Sequence, residues 1–311
     1  MTLTKFAKLA HVSISTASKA FSMSDDISEQ TREELFSLAR ECGCFKKFFN
    51  AKCPHLSIGL LIPEFTSYIY ADCVGKLQNA LKALDCELCV SATDFSAERE
   101  QELIEYFCKY SAVDGLILIS PKSVPAVLDL PAVILSGKSG FSGEEAPLCR
   151  ALEYLSEKGV RSVGFLGESR SVTRLRLFKN AMQKVFGTAD ESLIEISPLR
   201  FEQGGYAAME AYFRRRTVPR AVFCAYDYMA IGAMRCIREH SLRIPEDIAV
   251  IGFDNISVDP FLDPPLASIS ENRGAICSLA AEAIVRRVLG EPDIQECPPP
   301  AELYLRRSFE V

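Results

Sequence analysis

Residues 2–21 read TLTKFAKLAHVSISTASKAF, and the reading of the whole chain grows from this stretch. Thr2 can cap a first helix in which Leu3, Phe6, Ala7 and Ala10 recur at i, i+3, i+4 and i+7, giving one apolar face. After a turn at His11 and Val12, Ser13 can cap a second helix. Ala17, Ala20 and Phe21 then face the first helix, while Ile14, Ser15, Ser18 and Lys19 face outward. Short hydroxyl side chains let a helix approach phosphates and base edges closely, Lys19 can reach guanine or a phosphate, and Ile14 can lie against a thymine methyl. No carboxylate occurs between Met1 and Ser24, so nothing there repels a phosphate backbone that Lys5, Lys8 and Lys19 attract. The pattern suits a DNA-reading helix-turn-helix head; an ordinary helical hairpin packed on a larger domain is the alternative.

A third helix is expected from Ser28 as cap, Glu29 in the first turn, and Leu35, Leu38, Ala39 and Cys42 on one side, with Gly43 as its stop. Phe6, Val12, Phe21, Leu35 and Leu38 would share a small core. Taken together, LAHVSISTASKAF (9–21) and ISEQTREELFSLARECG (27–43) resemble the head of the LacI/GalR-type bacterial repressors, whose usual pattern is LAxxAGVSxxTVSRVLN followed by VSxxTRxxVLxAxxxLGY. Val12, Ser13, Thr16, Ser18, Ser28, Thr31, Arg32 and Gly43 match, with His11 in place of Gly and Lys19 in place of Arg. The resemblance implies that Ile14, Ser15 and Lys19 read bases and that Ser13, Thr16, Ser18 and Ser22 contact phosphates. A lysine gives a point contact where arginine gives a fork, so weaker discrimination is expected at that base.

The family usually continues into a hinge helix of the form YxPNxxARxL, whereas this chain reads CFKKFFNAKCPHLS (44–57). Lys46 and Lys47 keep the segment basic and able to follow phosphates. Phe48 or Phe49 could supply an apolar wedge between base steps; the other reading, which we favour, packs them under the next domain.

From Leu56 the chain alternates between buried-strand runs and helices. SIGLLIP, GLILIS, AVIL, SVGFLG, AVFCA and IAVIGFD predict strands; helices are expected over 70–84, 96–110, 144–158, 173–186, 202–215, 226–240 and 274–289. This is a doubly wound α/β body. IGLLIPEF (58–65), AVDGLILISP (112–121), AYDYMAIGAMRCIREHSLRIPEDIAVIGFDN (225–255), DPPLASIS (263–270) and ELYLRRS (302–308) extend the resemblance, implying a two-lobe, periplasmic-binding-protein-like (type I) body. The expected organisation is a head over 1–44, a basic linker over 45–55, and a body over 56–311. Its first lobe takes about 56–136 and 270–298, and its second about 137–269 and 299–311. Asp227 is expected to cap the helix carrying Met229 and Ala230, and Gly252 to let the strand end turn so that Asp254 faces the crevice.

By position in the family, Arg174 in RLRLFKNAM and Asp254 in GFDN resemble the residues that grip an effector, and Tyr70 an aromatic that stacks on it. Tyr226 replaces the family's usual Asn, Glu271 its usual Gln, and FSGE (141–144) its VxxDN, so that one common polar contact is missing. Arg174 and Asp254 on facing strand ends suit a small polar metabolite, most readily a sugar; an interlobe salt bridge without a ligand is the competing reading. A homodimer on a pseudo-palindromic duplex is implied, because one head reads few base pairs.

Composition fits this division. The net charge is -6, yet residues 1–53 hold eight Lys or Arg against six Asp or Glu, so the head is basic and the body acidic. No leader and no long apolar run is apparent, which predicts a soluble cytoplasmic protein with no membrane partner. The twelve cysteines are scattered, and neither Cys86/Cys89 nor Cys42/Cys44 has a second pair or a histidine cluster at zinc spacing, so no metal and no cofactor is expected. His11, His55 and His240 read as turn, junction and helix-end residues. Without a Gly-rich phosphate loop, GxSxG or HExxH, no catalytic residue can be named and an enzyme is not expected. A periplasmic binding protein would share the body but not the basic head.

Overall fold

The computed structural model describes residues 1–22, 24–45, 48, 56–110, 113–123, 128–136, 143–292 and 296–311. Lys46, Lys47 and Phe49 lie outside the described residues, as does most of the 45–55 linker.

Three helices open the chain: α1 (Leu3–Leu9), α2 (Ile14–Phe21) and α3 (Glu29–Glu41). Each begins as its capping residue dictates, with Thr2, Ser13 and Ser28 accepting from the backbone N–H three residues on. The turn before α2 places His11 at φ 53, the left-handed region that the family's usual glycine occupies at less cost. After α3, Gly43 at φ 61 lets its own N–H reach Arg40 O at 2.9 Å and the Cys44 N–H reach Ala39 O at 2.9 Å, a Schellman stop. The core holds Phe6, Ala17, Phe21 and Leu35 as anticipated, and also Cys44, Phe45 and Phe48. The Phe48 ring sits 5.3 Å from Phe6 and 5.2 Å from Phe21, and Phe45 sits 5.0 Å from Phe36. Phe48 is therefore neither a wedge nor packing for the next domain. So small a helical unit has little aliphatic surface to bury, and clustered rings supply what is missing.

The chain divides into two units, Met1–Phe141 with Arg273–Pro298, and Ser142–Asn272 with Pro299–Val311. In the first, β1 (Leu56–Ile62), β2 (Cys86–Ala92), β3 (Gly115–Ile119) and β4 (Ala132–Leu135) form a parallel sheet in the order β2-β1-β3-β4. Helix α4 (Tyr68–Ala83) follows β1, α5 (Ala97–Lys109) follows β2, and α10 (Arg273–Leu289) returns late in the chain to pack on α4. Ile58, Leu60 and Ile62 alternate onto the α4 and α10 side while Leu61 joins Leu103, Ile104 and Phe107 of α5, so both faces are covered. Cys86 and Cys89 lie on β2, one buried and one exposed, so three-residue spacing in a strand separates them.

The second unit has six strands in the order β10-β9-β8-β7-β5-β6, parallel except for β10. They are β5 (Val163–Glu168), β6 (Ile194–Ser197), β7 (Ala221–Cys224), β8 (Ala249–Phe253), β9 (Ala267–Ser270) and β10 (Glu302–Tyr304). Four helices accompany them: α6 (Glu145–Glu157), α7 (Val172–Phe186), α8 (Phe201–Arg215) and α9 (Asp227–Glu239), pairing as α6 with α7 and α8 with α9. Among the described residues, no helix is long and apolar enough to cross a membrane.

Helices α8 and α9 touch backbone to backbone. A Cβ on Gly205 would fall 1.8 Å from Met229 O, and one on Gly232 would fall 1.9 Å from Glu202 O. Neither neighbour is a side chain that can swing away. Gly232→Ala is expected to lower the unfolding free energy by about 3 kcal/mol, read by urea denaturation, because the helices must part to admit one methyl. An unchanged midpoint would contradict this packing.

Candidate functional site

On the head, Ile14 is half exposed, Ser13 and Ser15 are exposed, and Thr16, Ser18, Lys19 and Ser22 are partly covered. Several of these groups are already engaged. Ser13 Oγ accepts from Thr16 N at 2.9 Å and lies 2.8 Å from Thr16 Oγ1, while Ser22 Oγ donates to Lys19 O at 3.1 Å. The main departure concerns Lys19, whose Nζ donates to Asp26 Oδ2 at 2.8 Å. The stretch before Ser24 lacks carboxylates, but the surface does not, because the turn after α2 folds Asp26 back. Lys19, by hydrogen bond and by charge, holds the Asp26 carboxyl below its ordinary pKa. Arg32 fixes the same turn by donating to Ser24 O at 2.8 Å.

In the second unit, Arg174 lies in the first turn of α7, not on a strand end. Its Nη1 donates to Ala225 O at 2.7 Å, and its Nη2 donates to Asp254 Oδ1 at 2.6 Å and Glu144 Oε1 at 2.9 Å. The guanidinium also lies 4.9 Å from the Phe253 ring centroid. Burial acts to lower the Arg174 pKa, but Asp254 and Glu144 outweigh it and raise the pKa well above the ordinary value. Glu144 was the residue missed. FSGE does carry a polar contact, supplied by the carboxylate that precedes α6. The Arg174–Asp254 bridge joins two residues of the same unit.

Asp254 reaches Arg174 from a strained backbone, with φ 102 at Asp254 and 48 at Asn255. These two residues make the turn that was assigned to Gly252. Gly252 is instead needed for space, since a Cβ there would lie 2.1 Å from Asp227 Oδ1. Nor does Asp227 cap α9; Tyr226 occupies the cap position without a side-chain cap bond. The buried Asp227 carboxylate accepts from Ser268 Oγ at 2.8 Å and from Ile256 N at 3.1 Å, tying the end of β8 to β9. Tyr226 turns its hydroxyl to accept from Phe201 N at 3.0 Å, at the start of α8. Glu271 is buried just beyond β9, next to Ser270, whose Oγ donates to Asp254 O at 3.1 Å. Tyr70 belongs to the first unit, at the start of α4, with its ring edge-on to Phe95 at 6.4 Å.

Residues 152–309 match the periplasmic binding protein-like domain family. Along nearly its whole length the chain is similar to the ribose operon repressor of Haemophilus influenzae, at 26% identity over 307 residues and 92% of each chain. It is likewise 26% identical over 343 residues to the HTH-type transcriptional repressor PurR of Histophilus somni strain 2336, covering 100% of this chain and 99% of that one. Its fold matches a lac repressor dimer bound to operator and the anti-inducer ONPF, with a TM-score of 0.73 at 21% identity, covering 100% and 99% of the two chains. The chain belongs to the LacI/GalR-type regulator family. These relatives are transcriptional repressors, not enzymes.

Within this LacI/GalR-type body one further pair of groups stands apart. Asp259 is fully buried, and among the described residues neither of its carboxylate oxygens receives a hydrogen bond from an N–H or O–H; Arg306 stays at 3.9 Å. Asp227 is its neighbouring buried acid. Burial and the neighbouring Asp259 and Asp254 push Asp227 well above the ordinary carboxyl range, and burial pushes Asp259 up to about 6.

Two measurements follow. Arg174→Met removes the cation that Glu144 and Asp254 share, and chemical denaturation at neutral pH should show a loss of about 3 kcal/mol. Asp259 has a folded pKa above its unfolded one, so its contribution to stability is present below about pH 4 and is lost as pH rises through about 6, an effect on the order of 3 kcal/mol. Asp259→Asn should flatten the pH dependence of unfolding over that window; an identical slope in wild type and variant would refute the assignment.

Proposed function

We propose that this chain is a transcriptional repressor whose head binds operator DNA and whose second unit responds to a small polar metabolite. The observation carrying the first half is the Ser13-capped α2, which presents Ile14, Ser15 and Lys19 at the head of a chain similar throughout to DNA-binding repressors. Ile14, Ser15 and Lys19 take the role of base readers; Ser13, Thr16, Ser18 and Ser22, with Lys46 and Lys47 of the linker, that of phosphate contacts. Asp26 competes for Lys19 in the free protein, but an ion pair this exposed yields readily to a phosphate or a guanine edge. One such helix covers too few base pairs for useful specificity, so the working form is a homodimer on a pseudo-palindromic site.

For the effector we assign Arg174 and Asp254, with Glu144 completing the cluster and Tyr226, Glu271 and Tyr70 as further candidates. Two carboxylates against one guanidinium make the cluster acceptor-rich and net negative, which suits hydroxyl donors and disfavours an anion. A carbohydrate or similar polyol fits that requirement. A second reading, a ligand-independent regulator, is favoured by the three protein acceptors that Arg174 already engages. Thermal-shift screening against neutral sugars separates the two: a stabilising sugar supports the effector, and its loss in Asp254→Asn assigns the site.

Operator selection from a randomised duplex pool tests the DNA half. Enrichment of a pseudo-palindrome is expected, with Lys19→Ala weakening binding to the selected duplex about tenfold. If no sequence is enriched, or the variant binds undiminished, the head is not a reader of DNA.

A further inference from the structure

Glu210 on α8 and Cys236 and His240 at the end of α9 converge, although the sequence spaces them too unevenly to suggest a site. Their ligand atoms all lie within 4.8 Å of one another. His240 Nε2 is 2.8 Å from Glu210 Oε2, and Cys236 Sγ donates to the same oxygen at 3.5 Å. Cys236 and His240 are four residues apart, so one helical face carries both. His240, read from sequence as a plain helix-end residue, thus has two partners.

Three constraints hold the group in place. The Gly205 and Gly232 contacts bring α8 and α9 backbone to backbone, which fixes the helix bearing Glu210 against the helix bearing the other two. Phe213 stacks on the His240 ring at 3.9 Å and 18°, setting its plane. Cys236 is completely buried, while Glu210 and His240 are partly open, so an ion can enter from solvent with the sulfur behind it.

We propose that Glu210, Cys236 and His240 form a binding site for one divalent transition-metal ion of the zinc class. Sulfur with imidazole selects zinc-like ions over calcium or magnesium, which take oxygen ligands. Bond lengths of about 2.0–2.3 Å place tetrahedral donors about 3.3–3.8 Å apart, so His240 and Glu210 need open by only about 0.5–1 Å. Three protein ligands leave the fourth position to water.

Binding exchanges a proton for the ion: the Cys236 S–H is lost, a metal–thiolate bond forms, and the proton goes to solvent. Burial and the facing Glu210 and Glu239 push the free Cys236 thiol up to about 12, while His240 and Arg214 favour the ionised form of Glu210. Since an ordinary thiol is protonated at pH 7, zinc uptake should release about one proton per ion, and affinity should rise with pH.

The test is calorimetric titration of the reduced full-length protein with zinc chloride, repeated with Cys236→Ser, which retains a hydroxyl donor for Glu210, and with His240→Ala. Expected are one zinc per chain in wild type, a loss of at least 100-fold in affinity in both variants, and a zinc-dependent rise in melting temperature confined to wild type. Cobalt substitution should add a thiolate charge-transfer band that Cys236→Ser lacks. The proposal is overturned if wild type takes up no stoichiometric zinc, if Cys236→Ser binds it equally well, or if the cobalt protein lacks the thiolate band. Unfolding in the presence of a chelator checks that both variants are folded.

Discussion

The second unit hangs on the seat of one buried carboxylate. Asp227 begins α9, yet its oxygens reach β9 through Ser268 and the segment after β8 through Ile256. Gly252 leaves the space that carboxylate occupies. By pinning the chain just after β8, this contact holds Asp254 and Asn255 in a backbone region that side chains seldom adopt, and it is from there that Asp254 meets Arg174. Strain at the strand end is sustained because three elements over-determine it. The Arg174 cluster and the buried acid pair are thus two outcomes of one arrangement, and a change at Asp227, Gly252 or Ser268 would reach both.

Much of this was legible in the sequence, and the reasons for success and failure are physical. Helix starts at Ser13 and Ser28 were readable because a hydroxyl three residues before a free N–H is a local signal. Strands β1, β3, β5, β7 and β8 were readable because a strand covered on both faces must be continuously apolar. The strands passed over, β2, β6, β9 and β10, are either at an edge, where CELCVSA and IEIS mix polar with apolar residues, or short with small side chains such as ASIS.

The site was legible as far as Arg174 and Asp254, which family position supplied, but not in how they are neutralised. Glu144 is legible as the start of a helix, but nothing local shows that its carboxylate turns to Arg174 thirty residues on. Asp227 looked like a helix cap because Asp at a helix start usually is one; the room left by Gly252 redirected it into the sheet instead. Asp259 gave no local clue, since its burial comes from packing across the unit. The Glu210, Cys236 and His240 group divides the same way: the spacing of Cys236 and His240 on one helix face is visible in sequence, but Glu210 joins them only because Gly205 and Gly232 allow α8 and α9 to close up.

A common pattern links the head to the body: in each, the cation proposed for recognition already has a carboxylate partner inside the protein. Lys19 has Asp26 in a solvent-exposed pair, where partner exchange is easy and screened by salt. Arg174 has Asp254 and Glu144 in a sheltered cluster, where leaving either anion unpaired is costly. The two cations are therefore suited to different work. A lysine loosely held can transfer to a phosphate or base edge without a large energetic barrier. An arginine tightly held cannot be taken by a ligand without reorganising its carboxylates, so a guest that succeeds must bond Asp254 and Glu144 as well, which couples occupancy to the strained strand end and the Asp227 seat behind it.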